Sequence, residues 1–379
     1  MLAFVSVAQG QVNSGSNGSD GALNPTSNIV INMADHPDGI YQYTSVNISN
    51  GVTVTFIPNA NNTPVTWLVQ SNCVINGTVD VSGQSADGEI RGVGGPGGWA
   101  GGSGGSNPSP GQGPGGGAVS LLNVGGGGSF GSQGCIGGPG AGSAGQLYGN
   151  AFLLPLLGGS GGGGTSADSP GGGSGGGGAI LIAASGFIQL NGSIHAYGGA
   201  HDGINWTYGG PGSGGGVRLV TSNFTGNGVI RTDGGVGGCA YAGSGRVRID
   251  AFQNTFGGTL SGIVAQGFQP IIIPVAGQCV QLSIASIAGA SVSVSPNGQL
   301  LSPDAIISGQ QANPIPIVVN CSNLPLNTLI TVTVKPVNGS PVSAVGFNTA
   351  GTLASSTATV SLNMPRGGGI IYATAATSN

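Results

Sequence analysis

One nine-residue segment occurs twice without a gap. Ile75-Asn76-Gly77-Thr78-Val79-Asp80-Val81-Ser82-Gly83 matches Leu190-Asn191-Gly192-Ser193-Ile194-His195-Ala196-Tyr197-Gly198. The shared frame is apolar, Asn, Gly, Ser/Thr, apolar, polar, small, any, Gly. A looser copy runs from Asn227 to Gly234, and a degenerate one from Gly257 to Gly262. A second strand-like run precedes three of the copies and itself follows a Gly-rich stretch: Ala179–Ala183, Val217–Thr221 and Arg246–Ala251. The unit is therefore Gly-rich run, strand, short turn, strand, Gly-rich run, at an irregular spacing of roughly 30–38 residues. Each unit has too few large apolar side chains to bury a face alone, so units must stack to share a core. The expectation is an all-β chain: an irregular, Gly-rich parallel β-helix or β-solenoid whose glycine segments lie between or outside its rungs.

Glycine supplies 81 of the 379 residues and proline 22, a content that borders on low complexity. Charge argues against disorder. Only 5% of residues are charged, against a usual ~25%, net charge is -4, and mean hydropathy is +0.23. Such a chain should collapse. Residues 91–178 are close to half glycine, and part of this stretch has a three-residue period: Gly94-Gly95-Pro96, Gly97-Gly98-Trp99, Ala100-Gly101-Gly102, Ser103-Gly104-Gly105. A period of three matches the polyproline II helix, so such runs can pack side by side as polyglycine II. The competing state is a flexible Gly/Ser linker. Apolar residues inside the runs (Trp99, Leu121, Leu122, Phe130, Leu153, Leu154) favour packing. The period breaks after a few triplets and proline is sparse, which excludes a collagen triple helix.

Residues 1–10 read as a signal-peptide remnant without its basic region, or alternatively as an apolar strand. Residues 11–28 read as a polar leader and 29–267 as the Gly-rich β-solenoid domain. Val52–Phe56 alternates as a half-buried strand, Pro58 and Asn59–Asn62 mark a turn, and Trp67 opens another strand. Near Phe268 glycine gives way to Val, Ile, Ser and Thr. About seven short strands in residues 268–379 predict a C-terminal immunoglobulin-like β-sandwich. Of five cysteines, Cys279 with Cys321 is the first candidate disulfide and Cys135 with Cys239 the second, leaving Cys73. No pair has metal-ligand spacing, so no metal site is expected, and no cofactor is implied. Seven Lys and Arg residues exclude a basic nucleic-acid binder. No apolar run is long enough for a transmembrane segment.

Candidate chemistry is sparse. A Ser-His-Asp triad lacks a nucleophile elbow, and the GxGxxG matches follow from composition. Charge concentrates between His201 and Asp250. If this is a polysaccharide-degrading enzyme, Asp233 with Asp250 or Asp202 is the acid/base pair, and Arg231 or Arg218 binds a sugar acid. The plainer expectation is a solvated strand face with Asp–Arg pairs, because Arg246, Arg248 and Asp250 alternate with Val247, Ile249 and Ala251. His195 shares its repeat position with Asp80 and Arg231 and reads as an outward strand residue. Trp99, Trp206, Tyr208 and Tyr241 lie in or beside glycine runs. Exposed, they could stack on sugars; buried, they would pack on glycine backbone, which is the preferred expectation.

Gly18–Pro25, Gly51–Phe56 and the Asn-Gly-Ser/Thr rungs resemble large secreted, glycine-rich repeat proteins of environmental Gram-negative bacteria. Gly351–Ala358 resembles the immunoglobulin-like tail that such proteins often carry. The glycine triplets also look like polyglycine II domains of phage tail-fibre tip adhesins and insect antifreeze proteins. The resemblance implies a scaffold and no particular ligand. The functional expectation is a secreted or cell-surface structural protein that self-associates into a homopolymer or adheres, as part of a filament, sheath or matrix. The alternative is a β-helix that binds or degrades an extracellular polysaccharide.

Overall fold

The computed structural model describes residues 12–166, 170–200, 209–267, 272, 281–292, 303–337 and 339–375. The expected signal remnant, His201, Asp202, Trp206, Tyr208 and Cys279 lie outside the described residues. The chain divides into two compact units, Met1–Ile272 and Ile273–Asn379. Both are built from strands. Among the described residues the one helical element is a 3-10 turn, Met33–Asp35.

The first unit lays down β1 (Gly21–Leu23), β2 (Ile29–Asn32), β3 (Ile40–Ile48), β4 (Thr53–Ile57), β5 (Val65–Val69), β6 (Cys73–Ile75) and β7 (Thr78–Asp80). Among the described residues the next strands are β8 (Ala179–Leu190), β9 (Ser193–His195), β10 (Gly216–Thr225) and β11 (Val229–Arg231). A small hairpin, β12 (Val236–Gly237) and β13 (Ala240–Tyr241), then precedes β14 (Arg246–Asn254), β15 (Thr259–Ser261) and β16 (Ile263–Gly267).

These strands form two parallel sheets. The first has the order β1-β3-β5-β8-β10-β14-β16, with β6 bridging β3 and β8; the second has β15-β11-β9-β7-β4-β2. Apart from the small hairpin, neighbouring strands follow chain order, so the chain climbs by one rung per pass. The sequence repeat is the register of these rungs. Ile75 pairs with Leu190, Thr78 with Ser193, Ile194 with Ile230, and Ile230 with Leu260. In β7, β9, β11 and β15 the second sheet has three residues per strand; the middle one of the first three faces inward, and Val79, Ile194 and Ile230 are fully buried. They meet Val65, Trp67, Val69, Ile180, Ile182, Val217, Leu219, Val247 and Ile249 of the first sheet in a single core. One apolar residue per short strand cannot hold a sheet alone, so the stacking is obligatory.

The Asn-Gly pair between the two strands of a rung has a steric cause. A side chain on Gly192 would collide with the Gly77 carbonyl, and one on Gly228 with the Gly192 carbonyl. The Asn191 amide donates to the Asn76 side-chain oxygen at 2.9 Å, so the turns are tied along the stack as well.

The unit has a third flank without strands. Along residues 172–179 the backbone N–H groups turn to three neighbours in rotation. Gly172, Gly175 and Gly178 donate to Gly88, Gln84 and Val81; Gly173, Gly176 and Ala179 donate to Gly102, Trp99 and Pro96; Ser174 and Gly177 donate to Gly210 and Ser213, all at 2.7–2.9 Å. Every third residue thus faces the same neighbouring segment, which requires a screw of three residues per turn. Gly159, Gly162 and Thr165 likewise donate to Gly177, Ser174 and Gly171. Few side chains fit such a lattice. Ser160, Ser174 and Ser213 are buried in it because their hydroxyls bond to neighbours, as in Ser160 N–H to Ser213 Oγ at 2.8 Å.

The N-terminal residues depart from a free polar leader. Val12 is buried against Leu68, Leu181, Ala183 and Val220 on the outer face of the first sheet, and Ser14 N–H donates to Ser185 Oγ at 3.0 Å. A cover over an apolar stripe is what the leader supplies.

The second unit contains β17 (Gln281–Ile287), β18 (Ala290–Ser291), β19 (Ile315–Ser322), β20 (Leu329–Pro336), β21 (Val342–Phe347), β22 (Ala350–Gly351), β23 (Ser356–Leu362) and β24 (Gly369–Ala375). They form antiparallel sheets of order β18-β17-β19-β23-β22 and β21-β20-β24. Alternate residues of both sheets, including Ile317, Val319, Ile330, Val332, Val334, Val360 and Leu362, share one apolar core.

Candidate functional site

The repeat position noted above becomes a polar column. Asp80 lies beside His195 and His195 beside Arg231 in the parallel ladder of the second sheet. Their inward neighbours Val79, Ile194 and Ile230 fill the core, so these three side chains alternate outward. Where the sheet gives way to the glycine flank, the column opens into a cleft of about 660 Å³. Tyr197, Asp233 and Tyr241 share its lining with the glycines of three return segments.

Several contacts set these groups. Ser82 N–H donates to Asp80 Oδ1 at 2.9 Å, and Tyr197 N–H to Ser82 Oγ at 3.1 Å. The His195 and Tyr197 rings lie 5.0 Å apart. Ser261 Oγ donates to Asp233 Oδ1. Burial holds the His195 imidazole below its ordinary pKa; Asp80 opposes this and Arg231 adds to it, so the ring is neutral at pH 7.

Tyr241 overhangs the cleft on the β12–β13 hairpin. It is 69% exposed, against the expectation of burial, because only one short hairpin carries it out from the glycine flank. A disulfide between Cys135 and Cys239, 5.5 Å apart at Cα, pins the turn of that hairpin to the glycine-rich segment. Among the described residues Cys73 and Cys321 are free, buried thiols.

Trp99 is half-buried rather than a platform. It packs edge-on against Tyr148, whose ring lies tilted against Phe130 beneath Arg246.

Arg218, Arg248 and Asp250 form a separate cluster on the outer face of the first sheet. Asp250 Oδ2 accepts from Arg218 Nε at 3.1 Å, and Oδ1 accepts from Arg248 Nε at 2.8 Å and Nη2 at 2.6 Å. Arg218 and Asp250 are 1% and 0% exposed. The alternation along β14 is as expected, but the solvated face is not. β14 is paired on both sides, by β10 and β16, and Arg248 is covered by the Phe152 ring. Asp250 spends both oxygens on guanidinium groups and faces away from the core that separates it from Asp233. These two carboxylates do not form a catalytic pair.

Of the sequence-derived candidates, Arg231, Asp233 and Tyr241 meet in the cleft, while Arg218, Asp250 and Trp99 do not. The repeat alignment places Asp80, His195 and Arg231 in one column with His195 outward, but sequence reading alone does not join Asp80, His195 and Tyr197 to a site. Among the described residues no group of three or more His, Cys, Asp or Glu is placed to hold a metal ion. No helix among them is long and apolar enough to cross a membrane. The chain matches no protein-family description, no curated protein and no solved structure.

Proposed function

We propose that this protein is a secreted or cell-surface scaffold that assembles with copies of itself end to end. In this reading the first unit is a β-solenoid with a polyglycine II wall, and the second is an immunoglobulin-like domain. The rotation of backbone donors every third residue supports the polyglycine assignment. The Cys135–Cys239 disulfide supports an oxidising compartment.

The observation that carries the assembly is the open end of each ladder. Among the described residues, at one end β16 pairs only with β14 and β15 only with β11; at the other, β1 pairs only with β3 and β2 only with β4. All these strands run parallel, so the last rung of one copy matches the first rung of the next in direction. Ile263 and Val264 on β16 are 44% and 38% exposed, and Val30 on β2 is exposed too. Free strand edges of this kind template further pairing, and a head-to-tail contact that does not close gives a filament.

Electron microscopy of the full chain tests the reading. Wild type should form filaments one solenoid wide, and Val264→Lys, which puts a charge on the terminal rung, should stay dispersed and folded. A wild-type monomer at the highest soluble concentration, or filaments unchanged in V264K, would overturn it.

A further inference from the structure

The cleft beside the second sheet has features that a scaffold alone does not need. Its polar column presents one functional side chain per rung, at the ~4.8 Å spacing of paired strands. That spacing is close to the rise of one sugar unit in an extended glycan. Its lining offers two kinds of contact. Asp80 and Asp233 accept hydrogen bonds, Arg231 donates them, and Tyr197 and Tyr241 present aromatic surface. The volume falls within the ~300–1,000 Å³ range of small-ligand sites.

We propose that this cleft binds a neutral, hydroxyl-rich glycan laid along the stacking axis, with Asp80, Arg231 and Asp233 bonding its hydroxyls and Tyr241 stacking on a ring. Charge selects the class. The lining carboxylates Asp80 and Asp233 outnumber the single guanidinium of Arg231, and His195 is uncharged at pH 7. The described lining is therefore net negative. It repels a polyuronate and suits a polyol, whose hydroxyls pair with carboxylate and guanidinium alike. Tyr241 is exposed and held by a hairpin that the Cys135–Cys239 disulfide fastens, so it is an aromatic surface already in place before a ligand arrives.

Calorimetric titration of the dispersed full chain with cellohexaose, laminarihexaose, mannohexaose and hexagalacturonate decides the matter. At least one neutral hexasaccharide should bind about tenfold more tightly than the acidic one. Tyr241→Ala and Arg231→Ala should each weaken that binding by about tenfold, with unchanged circular dichroism and thermal midpoint. The proposal is overturned if no neutral hexasaccharide binds, if hexagalacturonate binds more tightly, or if both variants keep wild-type affinity. Binding is measured without filaments, so its failure is distinct from a failure of assembly.

Discussion

At the residue scale, glycine is present here for what it lacks. In most proteins an internal glycine supplies a turn. In the third flank of this unit it supplies absence of volume, because backbone lies against backbone. Gly101 donates to the Gly92 carbonyl at 2.9 Å, and a β-carbon built on it would strike the Gly173 carbonyl. No flexible side chain can yield there, since the obstacle is main chain. Gly101→Ala should therefore lower the stability of the first unit by about 1–3 kcal/mol, as overpacking does. Gly257 is the control: nothing lies within 4 Å of its β position. Gly257→Ala should shift stability by no more than ~0.5 kcal/mol, as at other unconstrained sites. Urea unfolding of the full chain separates the two, and equal losses would refute the lattice account.

At the scale of elements, the buried ion cluster ties neighbouring strands. Arg218 on β10 and Arg248 on β14 stand directly opposite each other in the ladder. Like charges at that position repel, and Asp250 offsets this by accepting from both. Arg218 Nη1 also donates to the Ile272 carbonyl at 3.3 Å. Removing the carboxylate leaves two guanidinium groups buried face to face. Asp250→Ala should cost about 3–5 kcal/mol, the usual loss when one partner of a buried ion pair is removed. Arg248→Met, which keeps the Arg218–Asp250 pair, should cost clearly less. Denaturant midpoints for the two variants check the order, and its reversal would mean that Asp250 is not the keystone of the cluster.

At the scale of the whole molecule, the two units obey different rules. The first is stabilised by stacking and backbone contact, the second by two antiparallel sheets closing on an apolar core. Lys335 on β20 offers a way to address the second unit alone. It is 8% exposed, and burial pulls its ammonium down from 10.5 to about 8. Between those values the unfolded chain holds a proton that the folded chain has released. Lys335 should therefore add about 1.5 kcal/mol to the stability of this unit between pH 8 and 9.5, opposed in part by the buried Cys321 thiol, which burial holds above its ordinary pKa of 9.0. Burial raises the Tyr372 hydroxyl above its ordinary value, so it stays protonated over that range. Calorimetry of the full chain should show the transition of the second unit moving up with pH, and Lys335→Met should abolish the rise. A flat wild-type profile would contradict the assigned burial.

Much of the stacked architecture is legible in the sequence. The gapless match of Ile75–Gly83 to Leu190–Gly198 is the register of the ladder, since the same apolar, Asn, Gly pattern must recur wherever identical turns lie on one another. The alternation of Ile330, Val332 and Val334 puts these three on the face that enters the core of the second unit, but it does not reveal that Thr333 and Lys335 on the other face are buried as well. Other features are not local. The periodicity around Arg248 and Asp250 reveals which side chains share a face, and cannot reveal that Phe152 covers Arg248 from nearly a hundred residues away. Nor can a glycine period say which run lies beside which, because every run carries the same featureless edge. The repeat, the strand faces and the need to stack follow from short-range sterics and apolar burial and are written in the letters. Which glycine segments interlock, that the Arg–Asp cluster is buried, and that Asp80, His195 and Arg231 line an open cleft are properties of the folded chain alone. Each of those depends on what a distant segment places against the residue, and a solvent-exposed and a covered strand face can be written in the same letters.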